Sequence, residues 1–458
     1  MTARARSIAL EVLLDVEQNG TYANLALQKA LRNNKLDPRD KALCTELVYG
    51  TMQRRRSLDA LVAPHCRRPL TEMDARVRTL LRMTVYQLAY LSRVPAYAAI
   101  DDAVRLCKRY APRAAGFVNA VLRAYTRDGR PPADRLEAAA EQADSWEDGA
   151  GIRYSYPTWV VRTLADALGR ERTEAVLRAC NQSPALALRV NAARTTREAM
   201  LESLRTRGLD ASASAVSPWG IRLSRGGDVE QWPEFREGLV TVQDEASMLI
   251  APLLAPERCE AVLDLCAGLG TKTTQIAERL PAGGRVVACD IHAHKLRLLK
   301  DAAGRLGVEQ RVEVLLADAR ALPERPDLRD RFDAVLLDAP CSGLGVLRRR
   351  PDIRWRREPK DVAALAGLQR ELLNAAAALV RPGGVIVYAT CTLTRAENDR
   401  VIASVLEGAK GTLQVEDVRP HLPPAVAERV AGEGPGAWVT PDAFGTDGFF
   451  MARLRRQV

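Results

Sequence analysis

The most restrictive feature of the sequence lies in its second half, where short apolar runs alternate with longer helical stretches. From about Thr241 the runs AVLDL, RVVACD, RVEVLL, DAVLLD and VIVYAT recur, followed by TLQVEDV and GFFMARL near the end. Each run is too short for a buried helix, and the stretches between them place apolar residues at helical spacing. Such alternation over about 200 residues predicts a doubly wound α/β sheet with helices on both faces. Ligands of such sheets bind beyond the carboxyl ends of the central strands, so the residues that end each run are the first candidates for function.

A chain of 458 residues is too long for one core, and roughly 150 residues per domain predicts about three. Up to about Arg127 the apolar residues keep helical spacing in SIALEVLLDVEQ, ALCTELVYGTMQRRRSLDALV, ARVRTLLRMTVYQLAYL and AAIDDAVRLCKRYA. An all-helical domain of five to seven helices is therefore expected at residues 1–130. Pro, Gly, Ala and acids dominate RDGRPPADRLEAAAEQADSWEDGAG, which predicts a linker at 131–150. Residues 151–240 mix helical stretches with the strand candidates ALALRVN and IRLSR, predicting a small α+β module, and the α/β domain takes 241–458.

The 67 basic side chains exceed the 57 acidic ones, giving a formal net charge of +10. Residues 1–130 carry 23 basic and 12 acidic side chains, whereas the remainder carries 44 and 45. A basic N-terminal module on a near-neutral remainder is either a docking domain for nucleic acid or an Arg-rich soluble helical domain. No apolar run reaches the ~18 residues of a spanning helix. The opening MTARARSIALEVLLDVEQNG holds acids and amides where an export signal needs apolar residues. A monomeric cytoplasmic protein with no membrane partner is expected. The nine cysteines form no Cys-x-x-Cys pair, so neither a disulfide framework nor a metal site is expected, and His292 and His294 read as surface residues opening a helix.

The first α/β run leads into AVLDLCAGLGTKTTQIAERL, where Gly268 and Gly270 permit a tight turn ahead of a helix. Thr271 between Gly270 and Lys272 breaks the P-loop pattern, and Thr273 stands where a dinucleotide fingerprint wants Gly or Ala. A nucleoside cofactor without a demanding pyrophosphate remains, and S-adenosylmethionine fits. Asp290 ends the second run, 20 residues after Gly270, where an acid accepts ribose hydroxyls. Asp318, after the third run, is placed to accept from an adenine amino group, and Asp264 lies beside the methionine end.

Cys341 in LLDAPCSGLGV and Cys391 in VIVYATCTLT end the fourth and fifth runs. A lone cysteine there reads as a small buried hydrophobe. Two of them at the rim of adjacent strands, beside Asp338 and a cofactor turn, favour a thiol mechanism.

The segments LDLCAGLGTKTT, DAPCSGLGVLRRRPDIRW and YATCTLTRAEND resemble the motifs of the RNA cytosine-C5 methyltransferases of the RsmB/NOP family. The helical N-terminus is similar to the NusB RNA-binding fold. The resemblance implies a class I methyltransferase domain that uses S-adenosylmethionine to methylate carbon 5 of a cytosine, and over the full length it implies 16S ribosomal RNA as partner. It assigns the nucleophile to Cys391, product release to Cys341, and further catalytic roles to Asp338 and Lys272. It lines the cofactor pocket with Cys266, Ala267, Gly268, Leu269, Gly270, Thr271, Lys272, Asp290, Asp318 and Asp338. Relatives commonly read Ala-Pro-Gly-Gly-Lys at this turn, so Leu269 and Thr271 depart from the pattern.

Arg348, Arg349, Arg350, Arg354, Arg356 and Arg357 cluster after the Cys341 motif around Trp355, opposed only by Asp352. Phosphate contacts with base stacking are expected there. Arg54, Arg55, Arg56, Arg67 and Arg68 are further candidates. A thiol reaching carbon 6 needs an unstacked base, which predicts a loop or single-stranded target. The alternatives are the same chemistry on transfer RNA or another ribosomal site, a non-catalytic RNA-binding or antitermination factor, and a nicotinamide-dependent oxidoreductase.

Overall fold

The computed structural model describes residues 2–224, 226–432 and 434–458. By its contacts the chain divides into a helical unit, residues 1–181 with 349–356, and an α/β unit, residues 182–348 with 357–458.

The helical unit begins with seven helices: α1 (Thr2–Asn19), α2 (Ala23–Asn33), α3 (Pro38–Gln53), α4 (Arg55–Val62), α5 (Ala75–Tyr90), α6 (Ala96–Tyr110) and α7 (Ala115–Arg127). Their apolar faces close over one core containing Leu10, Leu47, Leu58, Leu80, Leu81 and Leu122. Side chains set the helix starts: Asp37 accepts from the Asp40 amide at 2.8 Å with Pro38 in the first turn, and Asp74 caps α5.

The linker expected at 131–150 is instead helical, and the unit extends to Asn181. Helices α8 (Pro132–Glu141), α9 (Trp146–Tyr154), α10 (Thr158–Leu168) and α11 (Arg170–Ala179) follow without a break in packing. Pro132 read as a breaker, yet proline fits the first helical turn, where its missing N–H is not needed. Ser145 caps α9, with acids Glu147 and Asp148 in the first turn against the helix dipole.

The α/β unit opens with an antiparallel sheet ordered β2-β3-β1-β4, from β1 (Leu186–Val190), β2 (Ala211–Ala213), β3 (Gly220–Leu223) and β4 (Val240–Val242), with α12 (Arg197–Thr206) beside it. Of the residues expected at 151–240 as a small α+β module, α10 and α11 group by contacts with the helical unit and the sheet with α12 groups with the α/β unit.

The main sheet contains β5 (Ala261–Asp264), β6 (Arg285–Asp290), β7 (Val312–Leu316), β8 (Phe332–Asp338), β9 (Val380–Thr390), β10 (Leu413–Glu416), β11 (Ala437–Val439) and β12 (Phe449–Arg456). Its order is β10-β12-β9-β8-β5-β6-β7, with β11 on β12. The five strands β7, β6, β5, β8 and β9 are parallel, and β12 is antiparallel to β9. All seven expected runs are strands; β11 is the addition. The order reverses at β5, which makes the carboxyl ends of β5 and β8 the expected ligand crevice. Between strands run α13 (Thr271–Ala277), α14 (Ala293–Leu306), α15 (Pro359–Leu379) and α16 (Asp399–Gly408).

Candidate active site

The turn from β5 to α13 is built by glycine conformations. Gly268 and Gly270 have φ of +57° and +80°, which side chains with a Cβ rarely adopt. A Cβ on Gly270 would lie 2.3 Å from Leu299 of α14, so glycine there also permits close packing. A Cβ on Gly268 would meet nothing within 4 Å, so the turn faces open space, and Leu269 is exposed.

Acids gather around this turn at successive strand ends. Asp264 is buried, with Oδ2 accepting from Thr273 Oγ1 at 2.6 Å while Oδ1 has no hydrogen-bond partner. Burial, with Asp338 and Asp290 nearby, pushes its carboxyl up to about 7 against the opposing effects of Thr273 and Lys272. Asp290 Oδ2 accepts from the Gly268 amide at 3.0 Å and its Oδ1 from the His292 amide at 2.8 Å. These bonds and Lys295 outweigh its burial and hold its carboxyl below the usual range. His292 and His294 are exposed and open α14. Asp318 is exposed beyond β7, paired with Arg320 at 2.6 Å. Cys266 is held protonated, its thiol raised well above the ordinary value by burial and Asp264.

The residues fit S-adenosylmethionine, which carries a sulfonium and an ammonium. Asp264 Oδ1 is a buried acceptor lacking a donor, the surrounding carboxylates suit a cation, and the Gly268 turn leaves room.

Lys272, in the first turn of α13, donates to Asp338 Oδ2 at 2.6 Å at the end of β8. Burial disfavours its ammonium, but Asp338, with smaller effects from Cys391 and Asp264, holds its pKa above the ordinary lysine value. Cys341 and Cys391 follow the adjacent strands β8 and β9, their sulfurs 3.3 Å apart and both free. The hydrogen bond to Cys391 and burial raise the Cys341 thiol well above its ordinary value. Deprotonation of Cys341 is thus disfavoured, and its sulfur stays beside that of Cys391.

Sequence reasoning missed what holds the two cysteine loops together. Glu397 is fully buried between them. Its carboxylate accepts from the Ser342 amide at 2.7 Å, Ser342 Oγ at 2.6 Å, Thr394 Oγ1 at 2.9 Å and Gln369 Nε2 at 3.2 Å. Ser342 Oγ also lies 2.7 Å from Thr392 Oγ1, and Asn398 Nδ2 donates to the Thr392 carbonyl at 3.1 Å. Glu397 and Asn398 stand inside YATCTLTRAEND; an acid six residues after a rim cysteine was the available signal.

The arginine run does not form one solvated face. Arg354 is buried: it donates to the carbonyls of Gln53 and Ser155 and to Asn181 Oδ1, at 3.1–3.3 Å, with its guanidinium 3.9 Å from the Tyr156 ring centre. Trp355 Nε1 donates to the Met52 carbonyl at 2.7 Å, and Arg348 bonds the carbonyls of Gly445 and Ser183 at 2.6 and 3.3 Å. These three were expected at an RNA surface, but backbone carbonyls of other segments have taken them up as donors. Arg349 is half-buried and Arg357 donates to the Ser342 carbonyl at 3.3 Å; Arg350 and Arg356 are exposed. Among the N-terminal candidates, Arg56 is taken up by Tyr156, Thr158 and Asp148, Arg54 lies over Tyr90, and Arg67 and Arg68 are exposed.

Comparison with known proteins matches three families along the chain, and the middle match spans the division between the two units. Residues 251–455 match the family described as 16S rRNA methyltransferase RsmB/F, residues 3–127 the NusB family, and residues 156–230 the RsmF/B-like ferredoxin-like domain. The chain is 37% identical over 453 residues to the Bacillus subtilis protein named "Probable ribosomal RNA small subunit methyltransferase B", covering 99% of this chain and 98% of that one. It is 38% identical to "Ribosomal RNA small subunit methyltransferase B" of Pseudomonas syringae, covering 98% and 96%. The solved structure of PH0851 superposes with a TM-score of 0.80 at 26% identity, covering 100% of this chain and 99% of that one. With the glycine turn, the acidic strand ends and the paired thiols in place, these likenesses make the chain an S-adenosylmethionine-dependent methyltransferase belonging to the RsmB/F family.

Proposed function

We propose that the protein methylates carbon 5 of a cytosine in 16S ribosomal RNA, with Cys391 as a transient covalent nucleophile. The observation that carries this reading is the pair of free thiols 3.3 Å apart at the carboxyl ends of adjacent parallel strands. S-adenosylmethionine supplies, when bound, a methyl group made electrophilic by its sulfonium.

Carbon 5 of cytosine is too weak a nucleophile to take that methyl group unaided. Addition of the Cys391 thiolate to carbon 6 breaks the C5–C6 double bond and makes carbon 5 enamine-like, so its electron pair can form the new carbon–carbon bond. The Lys272 ammonium favours the thiolate electrostatically. Asp338, which accepts from Lys272, also accepts from the amino group at the cytosine edge around N3, and the Lys272 ammonium offsets the charge that develops there. Loss of the carbon 5 proton to a base then restores the double bond and expels the Cys391 thiolate. Cys341, with its sulfur 3.3 Å from that of Cys391, would donate its proton toward the leaving thiolate and stabilise it.

Two variants test the assignment. Cys391→Ala should abolish methyl transfer to RNA, and Cys341→Ala should accumulate a protein–RNA adduct that survives denaturing gels. An active Cys391→Ala enzyme would sink the mechanism. Bisulfite sequencing of total RNA from a deletion strain should lose one methylated cytosine in 16S ribosomal RNA; loss in transfer RNA instead would move the substrate.

A further inference from the structure

The helical unit contains a cavity of about 430 Å³ between α1, α3, α4, α5 and the segment Asp352–Arg356. We propose that this cavity is a subsite for one nucleotide of the substrate RNA, apart from the methylation chemistry. The inference rests on the reading that RNA is the substrate.

The charge balance calls for an anion. Four guanidiniums, of Arg55, Arg78, Arg82 and Arg356, line the cavity against the carboxylates of Glu17 and Asp352. Glu17 is committed to Arg78 at 2.7 Å, Arg82 at 3.3 Å and Thr79 Oγ1 at 2.7 Å, and Arg82 also pairs with Asp59 at 2.7 Å. Arg55 has no carboxylate within ion-pair distance among the described residues; its guanidinium lies over the Trp355 ring, 5.2 Å from the centre. Burial and the neighbouring Arg82 push its pKa below the ordinary arginine value. A half-buried guanidinium without an acceptor is costly unless a ligand supplies one.

The other orphaned groups exclude a bare anion. Thr51 Oγ1 and Asp352 Oδ2 line the same cavity, in residues 3% and 4% exposed, and neither has a hydrogen-bond partner, the Arg356 guanidinium standing 4.0 Å from Asp352 Oδ2 at ion-pair distance only. Asp352 would repel a free phosphate, yet it needs a donor such as a ribose hydroxyl or a base amino group. A nucleotide combines an anion for Arg55, donors for Asp352 and a flat ring for the Arg55–Trp355 stack. The ring of Trp355 is held by its bond to the Met52 carbonyl. The volume lies within the usual range for small ligands, ~300–1,000 Å³.

The test uses the full chain and transcribed 16S ribosomal RNA in filter binding from low to high salt. Arg55→Gln should weaken binding about tenfold and flatten the plot of log K against log salt by about one contact. Thr51→Val, close in shape, should weaken it in the same direction, which covers the case that Arg55→Gln disturbs folding. Arg113→Gln, at an exposed residue outside the cavity, serves as control. Methyl transfer at saturating RNA should be unchanged in all three. Wild-type affinity and slope in Arg55→Gln, or an equal loss in Arg113→Gln, would overturn the subsite while leaving the methyltransferase reading intact. A wild-type chain that binds RNA through Arg55 but transfers no methyl to it would overturn that reading and leave the subsite standing. If cytidine monophosphate raises the melting temperature of the wild type but not of Arg55→Gln, while RNA binding is equal in both, the occupant is a free nucleotide and the RNA assignment fails.

Discussion

A single buried carboxylate sets the geometry of the two thiols. Glu397 ties the Ser342 backbone after β8 to Thr394 after β9, so the cysteine loops move together or not at all. Misplacing reacting groups by about 1 Å can cost 10²-fold in rate. Glu397→Ala should therefore lower kcat by about that factor with little change in KM for RNA, and Glu397→Gln should recover part of it. A kcat equal to wild type in Glu397→Ala would remove Glu397 from the positioning role. Asp264 makes a second prediction, in pH. Its folded pKa of about 7 lies above that of the unfolded chain, so between about pH 4 and 7 the folded state binds more protons. Its contribution to stability is thus fully present at low pH and is lost as pH rises towards 7. Asp264→Asn should abolish that slope in urea titrations of the cofactor-free protein. Because the ionised form suits a cationic ligand, S-adenosylmethionine affinity should rise with pH through about 7 in the wild type and lose that dependence in Asp264→Asn, measured by calorimetry.

At the scale of elements, the cofactor turn is braced from the small sheet. Arg189 of β1 is buried; it donates to the Thr271 carbonyl at 2.7 Å and Thr274 Oγ1 at 3.1 Å, and pairs with Glu278 at 2.6 Å. Removing one member of a buried pair leaves an uncompensated charge, typically costing about 3–5 kcal/mol. Arg189→Ala should lose stability of that order in urea unfolding, while Arg189→Met with Glu278→Leu should recover most of it. No sequence signal announces this pair, because its partners lie more than 80 residues apart. The strands β5, β6, β8 and β9 were legible because each holds a short apolar run buried in the parallel part of the sheet, and their ends carried the cysteines and acids to one edge. The helices α8 and α9 were not, because Pro132 and the acids around it serve equally as loop formers and as helix starters. The antiparallel β12 was legible as a strand but not in direction, which depends on packing beside β9 rather than on its own residues.

At the scale of the whole molecule, the division into units does not follow chain order. Residues 349–356 leave the α/β unit in sequence and belong to the helical unit by contact. That explains why the arginine cluster misled: its density suggested a solvated strip, whereas acceptors brought by distant segments consume Arg354 and Trp355. The excess charge of residues 1–130 was legible by counting; which of those arginines lack partners was not, since that depends on which carboxylates fold beside them. A test of the discontinuous unit follows. Arg354→Ala leaves the carbonyls of Gln53 and Ser155 and the Asn181 side chain without their donor and empties the space against Tyr156. Orphaned buried acceptors and lost packing together cost roughly 3–5 kcal/mol, which in a unit of this size lowers the melting temperature by about 10 °C. Scanning calorimetry should show that drop in the transition of the helical unit, whereas Arg350→Ala, at an exposed position, should move it by no more than about 2 °C. The cofactor residues from Cys266 to Lys272, with Asp264, Asp290 and Asp338, lie wholly in the other unit, so calorimetric titration of Arg354→Ala with S-adenosylmethionine should retain the wild-type affinity; an unchanged helical transition would show that residues 349–356 do not stabilise that unit.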